Sequence, residues 1–164
     1  MTIGIYPGSF NPFHKGHYNI LIKAEKIFDK VIIARGINTE KPPSEWKIPR
    51  MVSDRADVIL YDGLLTDCVE DIIKQNKDAK VTVIRGLRNS VDLQYEMNQY
   101  RYFQDLMPNI QMVSIFCDKE FEHISSSGIR TLQPFEIKQG SFDNFEAPIA
   151  RKISREEHVI RQSN

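Results

Sequence analysis

Short apolar runs alternate along the chain with longer segments whose apolar residues recur every three or four positions. The short runs are rich in β-branched residues, which is typical of buried strands in a parallel sheet. Five strands are predicted, at Ile3–Tyr6, Val31–Ala34, Val58–Tyr61, Val81–Ile84 and Ile110–Phe116. The longer segments have the spacing of amphipathic helices, which predicts helices over His17–Phe28, Leu65–Lys74 and Ser90–Leu106.

The remaining segments are more polar. The stretch 38–50 contains three prolines, which favours a long loop, with a weak helix at Arg50–Asp54. Because proline lacks an N–H group and clashes with the preceding turn, we expect Pro134 to end the helix after Ser125–Ser127 early. One more helix is expected around Pro148–Ile160.

Strands that alternate with helices predict right-handed βαβ units and a parallel sheet with helices on both faces. The predicted fold class is therefore α/β, with a doubly wound, five-stranded parallel sheet. A length of 164 residues fits one ordinary globular domain that spans 1–164.

Charge and cysteine content exclude several classes of partner. Lys and Arg together number 22, as do Asp and Glu, so polymeric nucleic acid is not favoured as a ligand. Cys68 and Cys117 form no CxxC or zinc spacing and are expected to be reduced thiols. The sequence shows no apolar stretch of about 20 residues and no signal-peptide pattern at the first residues. We therefore expect a cytoplasmic protein without a membrane partner, and we assign no metal ligands.

Three segments suited to phosphate follow predicted strands: Gly8–Phe10, Arg85–Arg88 and Ile124–Ser127. Ligands of open parallel sheets bind outside the carboxyl ends of the strands, where the strand order reverses. We expect the three segments to meet at such an edge.

The first of these segments leads into two histidines. A helix N-terminus favours an anion, and glycines at 8 and 16 let the backbone approach one closely. The helix could start at Asn11-Pro12 or one turn later. His14 and His17 would share one face of its first turn. A histidine there can donate to a phosphate oxygen whose charge grows during transfer; alternatively, both histidines are surface or capping residues.

The other two segments also have two interpretations. Arg85 and Arg88 present planar forks that match phosphate oxygens, but arginines near a strand end are often only solvated charges. The serines at 125–127 suit phosphate equally well, or form the N-cap of a short helix.

These residues carry a family resemblance. The stretch Pro7–His17, PGSFNPFHKGH, resembles the (T/S)xFDxxHxGH signature of the HxGH nucleotidyltransferase superfamily. Later segments resemble the phosphopantetheine adenylyltransferase family in order and register: Asp62–Leu65, Arg85–Arg88, Asp92–Met97, Leu106–Pro108 and Ile124–Ser127. The resemblance covers about residues 1–130, is weak over Ser44–Ala56, and implies a Rossmann-like fold.

The resemblance implies a reaction. AMP would pass from ATP to 4′-phosphopantetheine with Mg²⁺, giving dephospho-CoA and pyrophosphate in coenzyme A biosynthesis. It implies catalytic roles for His17, Lys41 and Arg88. It places the following residues at ATP: Ser9, Phe10, His14, His17, Gly86, Leu87, Arg88, Glu96, Ser125, Ser126 and Ser127. It places the following at the acceptor: Ser9, Lys41, Leu65 and Arg85.

Departures from the family pattern keep alternatives open. Asn11 stands where the family has Asp, and His14 stands where it often has Thr or Asn. His14 keeps open a nicotinamide or nicotinate mononucleotide adenylyltransferase, although Arg85–Arg88 argues against it. A non-catalytic nucleotide-binding regulator is a third reading. The resemblance implies a homo-oligomer, a hexamer, and the chain diverges from about residue 131.

Overall fold

In the computed structural model, which describes residues 1–139, five parallel strands form one sheet in the order β3-β2-β1-β4-β5. The strands are β1 (Thr2–Gly8), β2 (Lys30–Gly36), β3 (Asp57–Tyr61), β4 (Lys80–Leu87) and β5 (Met112–Phe116). Because β1 pairs with both β2 and β4, the strand order reverses between β1 and β4. The predicted doubly wound α/β fold is confirmed.

Helices connect the strands and cover both faces of the sheet. They are α1 (Lys15–Ala24), α2 (Arg50–Ser53), α3 (Leu65–Gln75), α4 (Ser90–Leu106) and α5 (Ser126–Gln139), and a short 3₁₀ helix spans Lys119–Phe121. The weak helix at the end of the 38–50 loop is confirmed as α2. The predicted α4 matches the observed helix at both ends.

Alternate residues of β1 belong to two separate hydrophobic cores, because successive side chains of a strand point to opposite faces of the sheet. Ile3 and Ile5 are fully buried and pack with residues of α3, including Val69 and Ile72. On the other face, Tyr6 packs with α1. Burying an aliphatic side chain of this size stabilises the fold by about 1.5–3 kcal/mol, so both faces anchor the central strand.

Two helix ends differ from expectation. The helix predicted to reach Phe28 ends at Ala24, where the N–H groups of Ile27 and Phe28 both donate to the Ala24 carbonyl in a turn. The prediction that Pro134 ends the last helix early is also wrong. The helix continues through Pro134 to Gln139. Proline removes only one N–H donor, at a cost of about 3 kcal/mol, and the residues after it include the good helix formers Glu136 and Lys138. The helix predicted around Pro148–Ile160 lies outside the described residues.

The start of β5 also differs from the prediction. The strand predicted to begin at Ile110 begins at Met112, because the N–H of Ile110 donates to Met107 in a turn while its side chain is buried. Cys68 and Cys117 are free thiols, as expected. Within residues 1–139, no helix is both long and apolar enough to cross a membrane.

Candidate active site

A cavity of about 370 Å³ opens at the carboxyl ends of β1 and β4, where the strand order reverses. Its walls come from the loop after β1, the first turns of α1, the exit of β4, α4 and the start of α5. The structure therefore brings together the three segments that follow strands in the sequence.

Most of the residues that the sequence placed at ATP or the acceptor line this cavity. They are Ser9, Phe10, His14, His17, Arg85, Gly86, Leu87, Arg88, Glu96, Ser125 and Ser126. Lys41, Leu65 and Ser127 do not line it. Lys41 is exposed in the 38–50 loop, Leu65 is buried in the core, and Ser127 is exposed in α5. Their roles stay predictions.

The helix α1 starts one turn after Asn11-Pro12, with His14 as its N-cap. Nδ1 of His14 accepts from the main-chain N–H of Gly16 over 3.0 Å, and Nδ1 of His17 accepts from the N–H of His14 over 3.1 Å. This arrangement is a capping box, a pairing usually made by Ser or Thr with Glu or Gln. The two histidines are capping residues and cavity residues at once.

The capping bonds determine where each ring carries its hydrogen. A neutral imidazole has one N–H, so an Nδ1 that accepts a hydrogen bond leaves the hydrogen on Nε2. The rings of His14 and His17 stack with centroids 3.7 Å apart. Both rings line the cavity and can offer an Nε2–H donor to a ligand.

Both histidines are held neutral. Burial, with a smaller contribution from the Arg88 guanidinium, lowers the pKa of His14 from 6.5 to about 4. Burial, followed by His14 and Arg88, lowers the pKa of His17 well below 6.5. Because the shifts oppose protonation, these rings donate hydrogen bonds as neutral groups at neutral pH.

The close packing of this turn depends on glycine. A Cβ on Gly16 would lie 2.9 Å from Cε1 of His14, closer than side-chain atoms approach one another. The glycine of the HKGH motif is therefore required for the His14 ring to fold back over the start of the helix.

The loop after β1 is held in place by a buried arginine from β2. Nε of Arg35 donates to the carbonyl of Ser9 over 3.1 Å, and Nη2 donates to that of Phe10 over 3.3 Å. Phe10 has a positive φ of 47°, which is unfavourable for a non-glycine residue. Arg35 is 8% exposed, and its two hydrogen bonds stabilise this conformation of the loop.

Each of the two predicted phosphate-binding arginines is paired with a carboxylate of α4. Arg85 donates from Nε and Nη2 to Glu96 over 2.7 and 2.8 Å. Arg88 donates from Nε and Nη2 to Asp92 over 3.0 and 3.2 Å. Neither is a merely solvated charge.

The serine segment caps α5 and also closes the cavity. Oγ of Ser125 accepts from the N–H of Gly128 over 3.0 Å, which is an N-cap bond. Ser126 donates to the carbonyl of Pro12 over 2.7 Å and ties α5 to the loop after β1. Arg130 adds a hydrogen bond to the carbonyl of Asn11. The N-terminus of α5 thus faces the cavity, where its dipole favours an anion.

The described residues, 1–139, show no evident site for a protein-bound metal. Within residues 1–139, no group of three His, Cys, Asp or Glu side chains could hold an ion. The cavity carboxylates of Asp92 and Glu96 are already paired with arginines. Mg²⁺ binds few protein ligands when it accompanies phosphates, so these residues fit an ion that arrives with a nucleotide.

The sequence did not single out several residues that shape the site. Tyr6, Ile20, Tyr95 and Cys117 line the cavity. Arg35, at the end of a strand and followed by glycine, carried the same signal as Arg85-Gly86 but was not recognised. Burial raises the pKa of Tyr6, which keeps its hydroxyl protonated.

Comparison with known families agrees with this architecture. Residues 5–132 match the model of the cytidylyltransferase-like family. Two solved structures share the fold at 18% identity. A Vibrio parahaemolyticus protein assigned as a nicotinate-nucleotide adenylyltransferase has a TM-score of 0.60, covering 92% of this chain and 96% of that one. A bifunctional NMN adenylyltransferase/ADP ribose pyrophosphatase from Francisella tularensis has a TM-score of 0.52, covering 84% and 50%.

Curated relatives are closer in sequence. The phosphopantetheine adenylyltransferase of Mycoplasma capricolum is 36% identical over 141 residues, which cover 81% of this chain and 97% of the relative. That of Clostridium botulinum strain 657 is 32% identical, covering 98% of this chain and all of the relative. The chain therefore belongs to the cytidylyltransferase-like family of nucleotidyltransferases and, within it, to the phosphopantetheine adenylyltransferases.

Proposed function

We propose that the protein transfers AMP from ATP to the phosphate of 4′-phosphopantetheine, giving dephospho-CoA and pyrophosphate. An acceptor phosphate oxygen forms a bond to the α-phosphorus of ATP while the bond from that phosphorus to the pyrophosphate oxygen breaks. The acceptor oxygen already carries charge and needs no general base, so catalysis reduces to positioning and charge stabilisation.

The observation that carries this proposal is the neutral His17 ring at the cavity, with Nδ1 occupied by the His14 N–H. Its Nε2–H would donate to an α-phosphate oxygen whose charge grows in the transition state. Such a donor, fixed before the reaction, stabilises the transition state more than the ground state. His14, stacked on His17, would donate to the triphosphate in the same way.

The other predicted site residues take their roles by position around the cavity. Ser9 and Phe10 would border the phosphates of ATP, with Ser125–Ser127 at the α5 N-terminus holding the triphosphate. Gly86, Leu87 and Arg88 would line the nucleotide. These assignments derive from the family resemblance, and the lining of the cavity supports them.

The acceptor would lie at the same edge of the sheet. Arg85 would bind its phosphate, Leu65 its pantetheine arm, and Lys41 the phosphates of both substrates. Lys41 belongs to the exposed 38–50 loop and Leu65 to the first turn of α3, and neither residue lines the cavity itself, so the role of Leu65 requires the pantetheine arm to extend beyond it.

We propose Mg²⁺ as the metal, bound to ATP as part of the substrate. When bound, Mg²⁺ would neutralise part of the negative charge of the phosphates. The Francisella tularensis structure that shares this fold contains AMP and a Mn ion, which supports the use of a divalent cation by this kind of site.

A mononucleotide adenylyltransferase acting on nicotinamide or nicotinate mononucleotide is the second candidate. The two solved structures named above carry such names. His14 is compatible with this function, whereas the curated relatives with higher identity and the Arg85–Arg88 segment favour phosphopantetheine. The non-catalytic regulator has no specific observation in its favour.

The assembly and location are proposals as well. α4 buries none of its residues, and Val91, Tyr95, Tyr102 and Leu106 form an exposed apolar stripe at helical spacing. This stripe supports the proposed homo-oligomer, with a hexamer as the family form. The free cysteines support a cytoplasmic location. A single domain over 1–164, with a divergent tail from about 131, also stays a proposal.

The test is product identification. The protein, MgATP and 4′-phosphopantetheine with ¹⁸O in its phosphate are incubated, and the nucleotide product is analysed by mass spectrometry. We expect dephospho-CoA that retains the acceptor oxygen in the bridge between the two phosphates. Absence of dephospho-CoA, with ATP left intact, would overturn the proposal.

A further inference from the structure

We propose that Asp92 and Glu96 are positioning residues, each of which orients one arginine and thereby governs the binding of one substrate. Glu96 acts on the acceptor through Arg85, and Asp92 acts on ATP through Arg88. This inference rests on the proposed function, since it concerns the two substrates of that reaction. It gives Asp92 a role and replaces the predicted direct contact of Glu96 with ATP.

One face of α4 holds both arginines. Asp92 and Glu96 are four residues apart, so their side chains lie on the same side of the helix, and both line the cavity. Arg85 belongs to β4, whereas Arg88 follows the end of that strand at Leu87. Side chains three apart on a regular strand would point to opposite faces. Arg88 reaches α4 because the strand has already ended.

The Arg85–Glu96 pair fixes the plane of the guanidinium. Nε and Nη2 of Arg85 are occupied by the two carboxylate oxygens, and the side chains of the pair are only 20% and 12% exposed. Within the described part of the chain, Nη1 makes no hydrogen bond, so it is available to an anion in the cavity. Because both Glu96 oxygens accept from Arg85, the guanidinium offsets the carboxylate charge that would otherwise repel a phosphate.

The Arg88–Asp92 pair is tied to more of the structure. Oδ2 of Asp92 accepts from the main-chain N–H of Arg88 over 2.9 Å as well as from its Nε. Nη1 of Arg88 donates to the carbonyl of Ile124 over 3.2 Å. Arg88 thus bridges α4 to the segment that precedes the serines of α5. The N–H of Asp92 is itself capped by Asn89 over 3.0 Å, which fixes the carboxylate at the start of α4.

The two carboxylates should therefore affect different substrates. A charged, bidentate pair holds a guanidinium far more firmly than a neutral amide can. Glu96→Gln releases Arg85 and should raise KM for 4′-phosphopantetheine about tenfold, with KM for ATP changed by less than about twofold. Asp92→Asn releases Arg88 and should show the reverse pattern of about the same size.

The experiment compares both variants with Glu70→Gln, which removes an exposed pair with Lys74 on α3, away from the cavity. KM for each substrate is measured, along with the thermal midpoint and calorimetric binding of MgATP. We expect the control to match the wild type. A purely structural effect would lower the thermal midpoint and raise both KM values together, and that result would overturn the inference.

A double-mutant cycle separates positioning from direct contact. If Glu96 acts through Arg85, Glu96→Gln should add nothing further to KM for the acceptor in an Arg85→Ala background. Additive effects, or a rise in KM for ATP in Glu96→Gln, would show direct contact and overturn the inference. A wild-type protein that forms no dephospho-CoA would instead overturn the proposed function. An active wild type with both variants unshifted would overturn only the inference.

Discussion

The main-chain N–H of His14 donates to Nδ1 of His17 over 3.1 Å, at the start of the helix that faces the cavity. The bond serves two purposes. It satisfies one of the unpaired donors of the helix N-terminus, and it sets the His17 tautomer so that Nε2 carries the hydrogen. The same side chain therefore contributes to folding and to the chemistry.

These two contributions can be separated by substitution. His17→Gln retains an acceptor for the His14 N–H, as Gln does in ordinary capping boxes, but removes the imidazole donor. We expect kcat to fall about 100- to 1,000-fold with KM nearly unchanged. His17→Ala should lower kcat equally and also lower the free energy of unfolding by about 1 kcal/mol. A rise in KM with kcat retained would contradict the role of His17 in the transition state.

The stability of the protein should depend on pH through His14. Its pKa is about 4 in the folded state and 6.5 in the unfolded chain, so the unfolded chain binds more protons between those values. Stability is fully present above about pH 6.5 and is lost as the pH falls towards 4. The expected loss from His14 is about 3 kcal/mol.

Chemical denaturation from pH 8 to 4 measures this effect. His14→Asn keeps an N-cap side chain but cannot titrate, so its stability should fall less steeply on acidification. His123→Asn, at an exposed histidine, is the matched control and should retain the wild-type slope. Equal slopes for all three proteins would show that His14 is not buried as a neutral ring.

The planar guanidinium of Arg35 should stabilise the loop after β1, since it donates two hydrogen bonds to that loop. Arg35→Lys keeps the charge but cannot bridge the carbonyls of Ser9 and Phe10 with the same geometry. We expect a loss of about 1–2 kcal/mol in the free energy of unfolding and a rise in KM for ATP. Arg55→Lys, which disrupts a comparable fork to Glu25 outside the lining of the cavity, should leave KM unchanged. Equal kinetic effects in both variants would refute a specific role for Arg35.

Removal of metal should affect turnover and not folding. Because no set of metal-binding side chains is found within residues 1–139, the ion is expected to enter with the phosphates of ATP. Excess EDTA should abolish pyrophosphate release while the thermal midpoint of the ligand-free protein stays the same. A clear drop in that midpoint would indicate a resident structural metal.

Local pattern was sufficient to predict most of the elements and the edge of the sheet that carries the site. The bounds of α4 follow from its helical spacing and the stop at Pro108. The sequence does not decide the start of α1, because Asn11-Pro12 has the usual signals of a helix start, whereas a histidine is a rare N-cap.

Contacts between distant side chains were not predictable in this way. Arg35 reaches the carbonyls of Ser9 and Phe10 only because β2 lies beside β1. The pairing of Arg85 with Glu96 likewise depends on where α4 crosses the end of β4. α5 shows a failure of the opposite kind. The local rule that proline ends a helix does not hold at Pro134, because the residues on both sides of it are helical.

The identity of the acceptor is tested most directly by the initial rate of pyrophosphate release from MgATP with 4′-phosphopantetheine, with nicotinamide mononucleotide at the same concentration, or with no acceptor, measured side by side. We expect release with 4′-phosphopantetheine to be at least about 100-fold faster than in the other two reactions. Both acceptors carry a phosphate, so the difference must come from contacts with the pantetheine arm, which nicotinamide mononucleotide lacks. Release that requires nicotinamide mononucleotide, with none above background for 4′-phosphopantetheine, would contradict the proposed function.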